Sequence, residues 1–242
     1  MEDQVRVKIK QVGEKCTMND KYKLLGNDTI KFHGTTLYRI ESLKDFGDVS
    51  KGEKGGYIEK EENLSTTGNA WVGGDAYATG NSYVTGNAYV TDEAWVYGNA
   101  IISGNARLFN NARVFGDAKV SENTKVSDEA WVSGNAKVSG NAQVTGEAWV
   151  SGEAWVAGNA HLLSDAQVSS GADFLVVGPL GSEDRYLTAF KSRNEKISVI
   201  RGGFDGTLEE LEEAANKFYG ANKCGKEYRV AIELIREKLG NF

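Results

Sequence analysis

Trp131-Val-Ser-Gly-Asn-Ala-Lys-Val-Ser-Gly-Asn-Ala-Gln-Val-Thr-Gly-Glu-Ala-Trp-Val150 contains three consecutive copies of one six-residue unit. In it, Val132, Val138, Val144 and Val150 recur every sixth residue, with Ala130, Ala136, Ala142 and Ala148 two places ahead of each. The same phase extends in both directions, from Val72 to Phe174, with Ile102, Leu108 and Leu162 replacing valine and Ala78 replacing it once. The alanine series runs from Ala70 to Ala172 and is broken only by Ser82 and Thr124. Between the two series lies a turn, most often Gly-Asn, as at Gly68-Asn69, Gly86-Asn87, Gly104-Asn105 and Gly134-Asn135. An α-helix would repeat near 3.6 residues, so a strict period of six needs another architecture.

Each unit reads as a short strand, a sharp corner and the next strand. The β-branched residue points inward from the strand, alanine points inward where the corner leaves little room, and Gly and Asn tolerate left-handed backbone at the corner. Three units close a triangular coil of eighteen residues, so successive coils pair strand on strand at about 4.8 Å. The eighteen rungs from Val72 to Phe174 predict six coils and a prism about 29 Å tall. The Val-x-Gly-Asn-Ala-x units resemble the hexapeptide-repeat, left-handed β-helix family. That resemblance implies the left hand, a homotrimer and, in many members, an acyl- or nucleotidyl-sugar transferase. Thr36-Leu-Tyr-Arg-Ile40, Gly55-Gly-Tyr-Ile-Glu59 and Asn63-Leu-Ser65 are similar to the entry segment of phage and prophage β-helix proteins. The tail with Arg201-Gly-Gly-Phe204, Gly206-Thr207 and Tyr228 is similar to a small domain of such proteins.

The expected fold is mainly β, in three parts: a β-rich N-terminal cap over 1–53, the parallel β-helix over 54–176, and a small ββαα domain over 177–242. In the cap, Val5–Ile9, Thr29–Phe32 and Leu37–Ile40 read as strands, with turns at Gly26-Asn27-Asp28 and His33-Gly34. Ile58 and Leu64 fall in phase with the alanine series, as larger residues in a capping coil. In the last part, Tyr186–Phe190 and Ile197–Ile200 alternate as strands. Thr207-Leu-Glu-Glu210 forms a capping box that opens a helix. Leu208, Leu211, Ala215 and Phe218 mark that helix's buried face, and Tyr228, Ile232, Ile235 and Leu239 mark that of a second helix.

The composition narrows the function. A net charge of −6 argues against general nucleic-acid binding. The opening Met1-Glu-Asp-Gln-Val-Arg-Val-Lys8 carries no apolar leader core, and no apolar run reaches membrane-spanning length, so a cytoplasmic protein is expected. Cys16 and Cys224 are the only cysteines and suggest neither a disulfide framework nor a zinc site.

Transferases of the resembling family use a histidine base and an inserted loop, and carbonic-anhydrase-like members need three histidines for zinc. This repeat carries no insertion, and the chain has only His33 and His161. An enzyme is therefore not expected, and no cofactor or metal is. The transferase reading survives only through His161.

The outward positions carry the functional signal. Residues eighteen apart stack on one face, so one face reads Tyr77, Trp95, Arg113, Trp131, Trp149, Gln167, with Tyr97 and Phe115 in a neighbouring column. The second reads Trp71, Tyr89, Arg107, Lys125, Gln143, His161, and the third Tyr83, Ile101, Lys119, Lys137, Trp155, Asp173. So much aromatic surface suits a subunit interface, and a cyclic trimer would bury it. Arginine between aromatic planes also suits a stacked base with its phosphate. The candidate ligand-binding set is Trp95, Tyr97, Arg113, Phe115, Trp131 and Trp149, with Arg107 and Lys125 from a basic belt. Arg185 and Arg201 join them from a second basic cluster near Gly202-Gly203. The expected partner is a small anionic, nucleotide-type ligand held between subunits, as a phage-encoded sponge for a host defence signal would hold it. The alternative is a scaffold whose aromatic face is wholly trimer interface.

Overall fold

The computed structural model describes residues 19–240. The strand expected at Val5–Ile9, and Cys16, lie outside the described residues. The centre of the chain is a parallel β-solenoid of about six turns. Seventeen two-residue strands, β4 (Trp71–Val72) through β20 (Gln167–Val168), follow one another every six residues. They stack into three parallel sheets, with partners eighteen residues apart, as in Arg113 on Trp95 and Trp131. Backbone hydrogen bonds join the coils: Trp131 N–H donates to the Ala148 carbonyl at 2.9 Å and Ser133 N–H to that of Val150 at 2.9 Å.

The inward ladders are as the period requires. Every second strand residue from Val72 to Val168 is completely buried, and so are the alanines from Ala70 to Ala166. Ser82 and Thr124, which interrupt the alanines, are buried with their hydroxyls satisfied. Ser82 Oγ donates to the Val96 carbonyl at 3.3 Å and Thr124 Oγ1 to that of Ser121 at 2.6 Å. A buried hydroxyl without such an acceptor would cost about 1–3 kcal/mol.

The corners hold a positive φ at every sixth residue. Gly134 has φ 64°, and a Cβ there would sit 3.0 Å from the Gly152 nitrogen of the next coil. Where the corner residue is not glycine, Asp92, Asn110, Glu122, Asp128 and Ser164 still adopt φ between 55° and 60°. The stacking geometry therefore imposes the conformation, and glycine only relieves it.

Two expectations about the ends are corrected. Ile58 and Leu64 belong to the valine ladder, since Ile58 pairs with Ala78 and Leu64 bridges to Val84. The first coil is twenty residues long, because the corner between Leu64 and Ala70 holds two extra residues. Phe174, expected as the last rung, instead opens an antiparallel strand, and Ala172 is exposed. With the coil ended after Val168, Asp173 does not continue the third face. It accepts hydrogen bonds from the Ser169 and Ser170 backbone at 3.0 and 2.8 Å, which together with their hydroxyls hold its carboxyl below the usual range against the opposing effect of burial.

The N-terminal residues form a hairpin of β1 (Tyr22–Phe32) and β2 (Thr35–Ser42), followed by β3 (Lys54–Ile58), which continues the first sheet of the solenoid. His33 and Gly34, at φ 46° and 86°, make its two-residue turn. Gly26-Asn27-Asp28, expected as a turn, is an irregularity inside β1, where the register shifts between Leu25 and Thr29. The open end of the prism is closed by Lys21 and Tyr22. Lys21 Nζ donates to the carbonyls of Ser65 at 3.0 Å and Ala70 at 2.7 Å, and Tyr22 Oη donates to that of Leu64 at 2.7 Å. Trp71, expected on the outer surface, is fully buried beneath this cap with Phe46 against it at 5.5 Å.

At the other end, β21 (Phe174–Leu180), β22 (Arg185–Lys191), β23 (Ile197–Arg201) and β24 (Phe204–Thr207) form a four-stranded antiparallel sheet. The ββαα expectation thus gains two strands. Alternation divides the sheet's contacts: Phe190 and Ile200 join the solenoid core, while Leu187, Ala189 and Val199 pack under α1 (Leu208–Tyr219) and α2 (Lys223–Leu239). The capping box at Thr207 and Glu210 is present in both directions. Phe218, expected in the helix core, is 71% exposed, and Tyr219 takes that place, stacked on Tyr228 at 5.3 Å. Arg193 ties the sheet to the prism by donating to the Glu147 carbonyl at 2.7 Å.

Two predictions follow the corner and cap geometry. Gly134→Ala should lower the unfolding free energy by about 1–2 kcal/mol or more in urea titration, whereas Ser164→Gly at the equivalent corner should leave it equal or raise it. Burial, aided by Lys44, depresses the Lys21 ammonium from 10.5 to about 8. The folded protein then binds fewer protons than the unfolded chain between those values, so this group's contribution to stability rises with pH across the window. The stability of the native protein minus that of Lys21→Met should therefore increase from pH 7.5 to pH 10, which paired urea titrations will measure.

Candidate functional site

The first face is an aromatic column built by register. Tyr57, Tyr77, Trp95, Arg113, Trp131, Trp149 and Gln167 each lead their strand pair and stand directly above one another. The parallel pairing places their side chains one strand spacing apart, close enough for ring and guanidinium contact. Arg113 lies between two indoles, its guanidinium 4.6 Å from the Trp95 ring and 5.1 Å from that of Trp131. Trp131 meets Trp149 edge-on at 6.0 Å.

Two residues further along the same strands, Tyr97 and Phe115 stack face to face at 4.8 Å with an angle of 2° between their planes. Phe115 also meets Trp131 at 6.1 Å, and Trp149 Nε1 donates to Ser133 Oγ at 3.1 Å. Burial raises the Tyr97 hydroxyl above its usual pKa, with Arg113 acting in the opposite direction. Six of the sequence-derived candidates, Trp95, Tyr97, Arg113, Phe115, Trp131 and Trp149, thus form one contiguous surface.

Two residues outside that set belong to it. Phe32, from the hairpin, lies 5.2 Å from Trp95 and 5.8 Å from Tyr77 and covers the lower end of the column. Tyr57 extends the column downward, 5.9 Å from Tyr77. Tyr57 escapes an eighteen-residue count because its coil has twenty, and Phe32 carries no periodic signal at all.

The column contains a second arginine on an aromatic ring, and the contrast with Arg113 is informative. Arg39 lies 4.3 Å over Tyr57 and is neutralised by Asp75 at 3.0 Å and Asp28 at 3.3 Å. Arg113 has no carboxylate partner among the described residues, and its guanidinium N–H groups make no hydrogen bond there. A half-buried guanidinium with five unused donors is a ready anion site between apolar planes.

The remaining candidates lie elsewhere. Arg107 and Lys125 stack with each other on the second face, around the prism from Arg113. Arg185, paired with Glu183 at 2.8 Å, borders a cavity of about 390 Å³ at the junction with the C-terminal sheet, beside His161, Thr188 and Gly202. Arg201 is turned into its own domain, donating to the Leu180 carbonyl at 2.8 Å and lying 5.4 Å over Tyr228.

His161 is half-buried under the junction, and its backbone N–H donates to Thr188 Oγ1 at 3.0 Å. Burial and then Lys125 hold its imidazole below the usual range. Among the described residues no carboxylate orients it, the partner that a general base normally has. Among the described residues, no three His, Cys, Asp or Glu side chains gather as metal ligands, and no helix is long and apolar enough to cross a membrane.

Arg113→Ala should lower stability by about 0.5–2 kcal/mol through loss of its contacts with the two indoles. The loss should be smaller for Arg113→Lys, as read from urea unfolding followed by tryptophan fluorescence. No protein-family model matches the chain, and no match was found among curated proteins.

Proposed function

We propose that the protein is a non-enzymatic binding protein that holds a small anionic, nucleotide-type ligand on the aromatic face, at sites between subunits of a homotrimer. The observation that carries this reading is Arg113, a guanidinium clamped between Trp95 and Trp131 with no carboxylate partner among the described residues. A phosphate would accept from its free N–H groups, and a base would extend the parallel Tyr97–Phe115 stack or lie against Trp131. Trp131 and Trp149 remain 37% exposed, an apolar area that association with a second copy would cover. The choice of binding over catalysis rests on the unbroken repeat and on His161 having no orienting carboxylate among the described residues. A cytoplasmic location and phage origin rest on the sequence alone, the latter on the resemblance of the segments around Tyr38, Tyr57 and Asn63 and of the C-terminal tail to phage β-helix proteins; the sequestering of a host defence signal rests on that resemblance together with the aromatic and basic surface.

The flatness of this face favours a second reading, a scaffold in which the same surface is wholly subunit interface. Cavities of about 450 and 390 Å³ lie on the second face and at the C-terminal junction instead.

Thermal melting in the presence of cyclic and linear mono- and dinucleotides separates the two. A ligand at a hundred times its dissociation constant should stabilise the protein by about 2.7 kcal/mol, raising the melting temperature by a few degrees. Arg113→Ala should abolish that shift while light scattering still shows the native oligomer. If no nucleotide at millimolar concentration shifts the melt and Trp131→Ala yields a monomer, the scaffold reading replaces this one.

A further inference from the structure

The second face carries a groove that the aromatic column does not explain. The loop Gly47–Val49, held by the Phe46–Val49 bridge and by Phe46 on Trp71, overhangs the first coils of this face. Beneath it is a cavity of about 450 Å³ lined by Asp48, Asn69, Asn87, Asn105, Tyr89 and Arg107 together with the loop itself. A second depression of about 360 Å³ shares Tyr89 and Arg107 and continues past Thr91 and Phe109 to Lys125. The groove therefore runs along the strands, across the solenoid axis. From Asn87 to Thr91 an extended chain spans about 13 Å, room for more than one ring of a ligand.

The polar groups lining it are open in both senses. A ladder of amides climbs the adjoining corner, Asn87 donating to Asn105 at 3.1 Å, Asn105 to Asn123 at 2.9 Å, Asn123 to Asn141 at 3.1 Å and Asn141 to Asn159 at 3.2 Å. Asn69 stands one coil below Asn87 yet does not join. Gly47 crowds it, a Cβ on Gly47 falling 3.3 Å from the Asn69 Cβ. The lower end of the ladder consequently opens into the cavity, with the Asn69 amide and Asn87 Oδ1 unused among the described residues. Asp48 and Arg107 line the same cavity, and neither forms an ion pair among the described residues. Donors and acceptors thus alternate around one tyrosine.

That mixture is wrong for a phosphate. Asp48 lies on the cavity wall, and with Glu53 and Asp92 it adds to burial in raising the Tyr89 hydroxyl above its usual pKa, so the local field is not simply positive. It is right for hydroxyl groups, each of which both donates and accepts, set on a ring whose C–H face can lie against an aromatic side chain. We propose that this groove, formed by Asp48, Asn69, Asn87, Tyr89 and Arg107 under the Gly47–Val49 loop, binds a short neutral saccharide of at least two linked rings. This site is separate from Arg113 and does not depend on the nucleotide reading.

Isothermal titration of the full chain with di- and tetrasaccharides of the cello-, malto-, xylo- and chito-series tests it. At least one series should bind, the tetramer more tightly than the dimer. Asn87→Ala and Arg107→Ala, both at exposed positions, should each weaken binding by about tenfold, equivalent to one to two hydrogen bonds. Arg113→Ala should leave saccharide binding unchanged. The proposal fails if no series binds at millimolar concentration, or if binding survives both groove variants in proteins with native melting temperatures. It also fails if Arg107→Ala abolishes a nucleotide-induced shift, because the groove would then belong to the nucleotide site. Loss of the nucleotide shift in Arg113→Ala alone bears only on the aromatic face.

Discussion

Everything in this molecule depends on one register: parallel strands paired eighteen residues apart, joined through N–H groups that donate to carbonyls one coil onward. Because the pairs are parallel and in register, each residue type is repeated vertically. Valine stands on valine, alanine on alanine, and any outward residue on whatever stands three units away. The interior is then a stack of small, fully buried side chains that tolerates little change in volume. The corners tolerate equally little, since their backbones approach to within about 3 Å of where a Cβ would stand. The five non-glycine corners that adopt positive φ show that pairing energy outweighs local backbone preference.

The same register organises the surface. A single Trp is an ordinary surface residue, but Trp95, Trp131 and Trp149 placed in one column with Arg113 among them become an aromatic wall holding a cation that has no carboxylate partner among the described residues. The equivalent positions on the second face hold Tyr89, Arg107 and Lys125, and there the loop from the N-terminal cap converts a flat sheet into a groove. The cap supplies Phe32 to the lower end of one surface and Gly47–Val49 to the other. The cap is thus more than a plug over the end of the core. It contributes to each candidate site.

The ends also show how a solenoid stops. Its terminal coils would expose apolar rungs, and each end solves this differently. The N-terminal end is sealed by Lys21 and Tyr22, whose polar tips satisfy carbonyls left open at the prism's rim. The C-terminal end is covered by one face of an antiparallel sheet, with Phe190 and Ile200 over the last rungs, while the other face of that sheet has its own helices.

The period of six, the inward ladders and positive-φ corners between Ala70 and Val168, and the outer columns apart from Trp71 and Asp173 could all be taken from the sequence, because in-register stacking turns sequence spacing directly into spatial position. The capping box at Thr207 was equally legible, being a local motif. What depended on tertiary structure lies where the spacing breaks or distant segments meet. The two extra residues after Leu64 moved Ile58 and Leu64 from one ladder to the other and concealed Tyr57 as a member of the aromatic column. Trp71 alternates outward like Tyr89, yet the cap buries it. Phe174 keeps the apolar phase but pairs with Phe190. Arg107, Lys125, Arg185 and Arg201 share a charge with Arg113 and not a site. Periodicity assigns a residue to a face; only the folded chain decides what else comes to cover that face.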